Sequence, residues 1–164
     1  MVKVGVVSDT HGYFDAKLEA FFDDIDILIH AGDIGDLDLA DRLEGLYNFK
    51  AVYGNIDNHK VRIVYKRDAI FNIEGVKLFV THIGGYPQHY YQDIKPIIKK
   101  ERPNIVVCGH SHILKVIYDK ELDHLHINPG AAGIKGFHKV RTAIRFKIDG
   151  DKILDMEVGE WKRG

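Results

Sequence analysis

Aspartate, histidine and asparagine recur in this chain directly after short apolar runs. The groups are Asp9-Thr10-His11, His30-Ala31-Gly32-Asp33, Gly54-Asn55-Ile56-Asp57, Thr81-His82 and Gly109-His110-Ser111-His112. Taken singly, each reads as turn chemistry: an Asp after a strand caps a helix, and Gly-Asn makes a turn. Taken together they do not, because turns have no use for histidine, yet His11, His82, His110 and His112 are four of the ten histidines. Imidazole and carboxylate in one place suit manganese, iron, zinc or nickel better than the all-oxygen sites of magnesium or calcium. The chemistry such a set supports is metal binding and activation of water.

The elements that must position these groups follow from the apolar patterns. Residues 2–7, 25–29 and 49–53 are short and rich in β-branched and aromatic residues, as strands buried on both faces are. Between them, Phe14, Leu18, Phe21 and Phe22 fall on one helical face, and Leu39, Leu43 and Leu46 repeat that spacing behind Asp36 as N-cap. A β-α-β-α-β opening implies parallel strands with helical crossovers. Further on, residues 69–73 and 77–80 flank Glu74-Gly75 as a hairpin, and a helix is expected from Asp93 to about Arg102, with Pro103 ending it. Residues 105–107 form another buried strand. Antiparallel pairs are expected at 116–118 with 125–127, and at 142–148 with 153–158 around Asp149-Gly150. The fold class is α/β, with mixed sheets packed together and flanked by helices. Five strands then deliver Asp, His or Asn at their carboxyl ends, the edge at which open α/β sheets bind ligands.

Composition narrows the setting. A length of 164 residues without linker or repeat suits one domain, residues 1–164. With 23 basic against 24 acidic residues, the net charge of −1 gives no sign of a basic surface for tracking a nucleic-acid backbone, and bulk charge leaves a local patch open. Cys108 is the single cysteine, so no intrachain disulfide exists and a reducing compartment is expected. No run of ~18 apolar residues is present for a membrane span, and the first apolar run is too short for a signal peptide. A cytoplasmic protein is expected, its state of oligomerisation left open.

In their order, Asp9-x-His11, Gly32-Asp33, Gly54-Asn55-x-Asp57, Thr81-His82 and Gly109-His110-Ser111-His112 resemble the signature of the calcineurin-like metallophosphoesterases. Asn128-Pro129-Gly130 resembles a motif of the small prokaryotic phosphodiesterase branch. The resemblance runs from about residue 5 to 130. It implies a four-layer α/β/β/α sandwich with two metal ions between the sheet edges. One ion would take Asp9, His11, Asp33 and His112, the other Asp33, Asn55, His82 and His110, with Asp33 bridging. Manganese is the first candidate, with nickel, iron and zinc behind it. Two divalent ions bring four positive charges and Asp9 and Asp33 return two, so neutral histidines leave a surplus of two. A bridging hydroxide and a monoanionic diester bring that surplus to zero. The implied reaction is hydrolysis of a small phosphate ester, a phosphodiester first, by in-line attack of the hydroxide.

One departure stands out. Many family members carry histidine directly after the metal-binding asparagine, where it is thought to protonate the leaving alkoxide. Here Ile56 stands there and can neither give nor take a proton. Asp57 and His59 are candidates for a replacement, although His59 beside Lys60 and Arg62 also reads as an exposed loop histidine. The segment 84–91 holds Tyr86, Tyr90 and Tyr91, which either stack a base or aryl group or pack on the following helix. His30 is expected to orient a neighbour, and Cys108 to sit in the core. Two other readings follow from the same resemblance. One is a protein-binding scaffold like that of the retromer coat, whose ligands are partly lost. The other is a nuclease, which usually carries extra domains or basic surfaces.

Overall fold

The apolar runs at the start of the chain become three parallel strands. In the computed structural model, which covers residues 1–164, the order is β1 (Val2–Val7), α1 (Ala16–Phe21), β2 (Ile27–His30), α2 (Leu37–Leu46), β3 (Asn48–Ala51), α3 (His59–Val64), β4 (Asp68–Ile73), β5 (Val76–Thr81), α4 (Lys95–Glu101), β6 (Ile105–Val107), β7 (Leu114–Asp119), β8 (His124–Pro129), β9 (Val140–Asp149) and β10 (Lys152–Lys162). One five-stranded sheet runs β10-β9-β1-β2-β3 and the other β4-β5-β6-β8-β7. The strands β1, β2 and β3 are parallel, as are β5, β6 and β8. Hairpins join β4 to β5 at Glu74-Gly75, β7 to β8 across residues 120–123, and β9 to β10 at Asp149-Gly150.

Strand periodicity assigns each side chain to a layer. Val4, Val6, Ile29, Leu78, Val80, Ile105, Val107, Ile127 and Ile144 point inward and form the core between the sheets. Alternate residues point outward: Val7 and Leu28 meet Leu18 of α1, Phe22 at its C-cap, and Leu39 and Leu43 of α2. On the other side, Phe79, Val106 and Cys108 meet Ile94 and Ile98 around α4. The result is the expected four-layer α/β/β/α sandwich. Each fully buried aliphatic side chain contributes about 1.5–3 kcal/mol.

Local details differ from the sequence-based expectation. The first helix spans Ala16–Phe21, so Phe14 lies outside it, though still buried. Asp36 does cap α2, accepting from the Leu39 N–H at 2.7 Å, but Leu46 is half exposed. The third expected helix begins at Lys95 and ends on Arg102 in a left-handed conformation. A helix at His59–Val64 was not anticipated: His59 opens it instead of lying in a loop. Asn58 caps it through the Val61 N–H, and Val61 is its one buried residue, too few to leave a periodic signal.

Candidate metal centre

The carboxyl ends of β1, β2 and β3 from one sheet and of β5 and β6 from the other meet at one edge of the sandwich. Hydrogen bonds beyond the strands hold them there. The His11 N–H donates to the Asp33 carbonyl at 3.0 Å, Gly109 to His82 at 3.0 Å, and Gly133 to Asp9 at 3.2 Å. All seven residues expected at the site come together in two groups. Asp9, His11 and His112 offer ligand atoms within 4.8 Å of one another, and so do Asp33, His82 and His110. Asn55 joins the second group, its Oδ1 lying 3.0 Å from His110 Nδ1. Asp33 Oδ2 faces both groups, 3.6 Å from His11 Nε2 and 3.1 Å from His82 Nε2.

Each carboxylate has one oxygen anchored and one left over. Asp9 Oδ2 accepts from Ser8 Oγ at 2.6 Å and from the His110 N–H at 3.1 Å. Asp9 Oδ1 has no hydrogen-bond partner and lies 3.2 Å from His112 Nε2 and 3.7 Å from His82 Nε2. Asp33 Oδ1 accepts from the Ile56 N–H at 3.0 Å, which leaves Oδ2 to the centre. The His82 ring is fixed likewise: Nδ1 lies 2.7 Å from the Ala31 carbonyl, so it carries the proton and the neutral ring turns a lone pair at Nε2 to the site. Buried Asp9 Oδ1, His11 Nε2 and His82 Nε2 thus converge without partners. Orphaned buried polar atoms cost about 1–3 kcal/mol each, and divalent ions between them would satisfy all three. The donor set fits the group the sequence implied.

Backbone strain marks the same residues. Asp9, His11, Asp33, His110 and His112 all have φ between 47° and 72°, the left-handed region that non-glycine residues rarely occupy. Such strain persists where surrounding structure enforces it, typically at functional sites. Two glycines permit the close approach of the loops. A Cβ on Gly54 would lie 2.1 Å from Asp33 Oδ1, and one on Gly32, at φ 100°, would lie 2.7 Å from His82 Nδ1.

Supporting residues emerge that sequence reading missed or misassigned. Asp57 is not free to act as an acid. It is buried and accepts the N–H groups of Ile34, Gly35 and Gly54 at 3.2, 2.9 and 2.8 Å, tying the loop after β2 to the loop after β3. Asn128 donates to the Gly109 carbonyl at 3.0 Å and to Ser111 Oγ at 3.1 Å, which sets the loop of His110 and His112. His138 Nε2 donates to the Gly133 carbonyl at 2.8 Å, so its Nδ1 accepts from His112 Nδ1 at 3.2 Å. That leaves the His112 Nε2 lone pair for the centre. No sequence signal links His138 to His112, since the contact crosses a loop. His30 orients a neighbour, as expected: its Nδ1 accepts from the Gly32 N–H and its Nε2 donates to Thr10 Oγ1.

The electrostatics agree with these roles. Burial opposes ionisation of Asp9, but the neighbouring His11, His112 and His82 rings and the Ser8 hydroxyl hold its carboxyl well below the usual range. At His82 burial works against a second proton, yet the Asp33 and Asp9 carboxylates raise its pKa and favour the charged ring, so an ion taken up at Nε2 would have to displace that proton. Burial pushes His30 down to about 3, so it stays neutral, and pushes Cys108 up to about 12, which makes it core and not a nucleophile.

Comparison with known proteins gives the family and the fold. The model of the calcineurin-like phosphoesterase superfamily domain matches residues 2–151. A probable metallophosphoesterase of Methanothermobacter thermautotrophicus is 31% identical over 94% of this chain and 90% of its own. Among solved structures, an archaeal phosphodiesterase superposes with a TM-score of 0.75 at 24% identity, covering 95% of this chain and 99% of that one. Vps29 of Chaetomium thermophilum does so with a TM-score of 0.77 at 13% identity over 100% of both chains. No helix is long and apolar enough to cross a membrane.

Proposed function

We propose that this chain, which belongs to the calcineurin-like phosphoesterase superfamily, hydrolyses phosphodiester bonds at a centre of two divalent transition-metal ions. The observation that carries the reading is the double convergence: two three-residue groups of donors, with Asp33 Oδ2 facing both. Asp9, His11, Asp33 and His112 would hold one ion, and Asp33, Asn55, His82 and His110 the other. Imidazole, amide and carboxylate favour manganese, nickel, iron or zinc over magnesium. When bound, the ions supply Lewis-acid activation of the phosphate and of the attacking water.

The protein's own part is positioning and charge. Two carboxylates among neutral imidazoles leave a cation-loaded site positive, which draws a monoanionic diester to it. Ser8, the His110 N–H and the Ile56 N–H hold the carboxylates so that no reorganisation is needed during reaction. At the leaving group the chain offers little help. The Ile56 side chain is exposed and has no proton to give, and Asp57 is engaged by three N–H groups. Esters with acidic leaving groups therefore suit the site best. The scaffold alternative shares the fold, but it expects lost ligands, and all seven positions here carry donors.

The test is activity of metal-stripped protein on aryl phosphodiesters and monoesters, with Mn, Ni, Zn, Fe and Mg restored singly. Diesterase activity restored by a transition metal supports the reading. Silence with every metal, or activity on monoesters alone, refutes it. A plot of log kcat against leaving-group pKa in single turnover should be steep, and Ile56→His should flatten it, since general-acid help contributes ~10²–10⁴-fold. A flat line in the unmodified protein would show that another residue, His59 first, supplies the proton.

A further inference from the structure

Beside His110 a cavity of about 370 Å³ opens between the outer face of β7 and β8 and the loop that follows β5. Its volume lies within the usual range for small-molecule sites, about 300–1,000 Å³. Its walls are largely aromatic and apolar. Ile83, Tyr86, Tyr91 and Ile113 line it and are all exposed, which places four large apolar side chains in one concavity. The loop is built to present them. Tyr90 turns inward, its hydroxyl 2.8 Å from His124 Nε2 and 2.7 Å from His126 Nδ1. The Tyr91 N–H closes the loop on the Gly84 carbonyl at 3.1 Å. Tyr86 and Tyr91 are left facing solvent.

The polar side chains of the lining are His110, Ser111, Lys115, His126 and Asn128. His126 lines it from β8, fully buried, with Nδ1 committed to Tyr90 and Nε2 without any partner. Lys115 is the one cation of the lining, its Nζ 4.6 Å from the centre of the Tyr86 ring, and no carboxylate is present. The lining suits a ring that is neutral or electron-rich and repels none that is attached to phosphate.

We infer that this cavity binds a planar aromatic ring, nucleobase or aryl, carried by the alcohol of the phosphate ester. Tyr86 and Tyr91 stack the ring, and Lys115 meets a polar atom at its edge. The inference rests on the phosphoesterase reading for the place of the phosphate, since the cavity and the centre share His110. It goes further in naming the substrate class and the residues that select it.

The experiment is calorimetric titration of the manganese-loaded protein with phenylphosphonate and with methylphosphonate, neither of which is hydrolysed. Stacking on an aromatic side chain makes the phenyl compound about 10-fold tighter or more. Tyr86→Ala and Tyr91→Ala should each shrink that ratio with unchanged metal content, while Tyr86→Phe, which keeps the ring, should preserve it. Phe137, fully exposed beside a second cavity next to His112, is the control. Equal affinities in the unmodified protein, absence of binding, or a ratio untouched by both tyrosine changes overturns the inference. So does loss of the ratio in Phe137→Ala, because the ring then lies in the other cavity. A ring preference in a protein that cleaves no ester leaves the cavity and removes the phosphoesterase reading. Diesterase activity without the preference does the reverse.

Discussion

At Asp33 one carboxylate oxygen is held by the Ile56 N–H while the other faces His11 and His82 across the two donor groups. A side chain shared by both ions should matter more than one that serves a single ion. Asp33→Asn is expected to lower turnover by at least ~10³-fold, at the upper end of what one principal electrostatic contact supplies. His11→Ala should cost less. Steady-state kinetics on the best substrate decides, and near wild-type rates in both variants would show the ligand assignment wrong. His138 works one step further out, holding the His112 proton on Nδ1. Removal of such an outer partner typically weakens metal affinity ~10–100-fold. His138→Ala should therefore weaken the ion of the His112 group alone, seen by metal titration as one tight and one loosened step. Two unchanged steps would leave His138 without a role there.

At the scale of elements, the loops after β2 and β3 have no regular structure to hold them, and Asp57 does so through three backbone N–H groups. A buried N–H left without an acceptor costs about 1–3 kcal/mol, so Asp57→Ala should destabilise the fold by about 3 kcal/mol or more. It should also reduce bound metal, because Asp33 sits on one loop and Asn55 on the other. Urea unfolding with elemental analysis reads both effects; unchanged stability would show that water replaces the carboxylate. The same reasoning explains the glycine before each of these ligands. Gly54 passes so close to the Asp33 carboxylate that no side chain fits.

The whole molecule is poised against acid. Burial pushes His30 down to about 3, and burial with the charges of His124 and Lys115 pushes His126 down to about 4. In the unfolded chain both titrate near 6.5. Between those values the unfolded state holds protons that the folded state refuses, so stability falls as pH falls through that window. From pH 6.5 to 5 each histidine contributes about 2 kcal/mol of loss. His82, raised by its carboxylates, acts in the opposite sense: its stabilisation is present below about pH 6.5 and is lost as pH rises beyond it, not within this window. Urea midpoints of chelator-treated protein at pH 7, 6 and 5 should decline, and His126→Gln should flatten the decline. A constant midpoint would contradict the neutral burial of these rings. At saturating manganese, elemental analysis should find two ions per chain; a ceiling of one would end the two-ion mechanism.

Short-range information in the sequence determined that strands lead into Asp9, Asp33, Asn55, His82 and His110, and that a parallel opening is followed by hairpins. Period-two burial and turn residues act over a few positions, so they can be read without a structure. Mixed sheets packed together and flanked by helices were legible in the order of elements, while the four-layer α/β/β/α arrangement came from resemblance to a family. Tertiary structure alone decided which lone pairs face inward. The tautomer of His82 depends on the Ala31 carbonyl, 51 residues away, and the free oxygen of Asp9 depends on the His110 N–H, 101 residues away. Left-handed backbone at five proposed ligands was likewise invisible, because strain of that kind is imposed by contacts between loops and not by local preference. The bidentate pair of Arg141 with Asp15, 126 residues apart, ties β9 to the cap of α1 for the same reason. Residue types announce the chemistry locally, but orientation is set by hydrogen bonds between segments that only folding brings together.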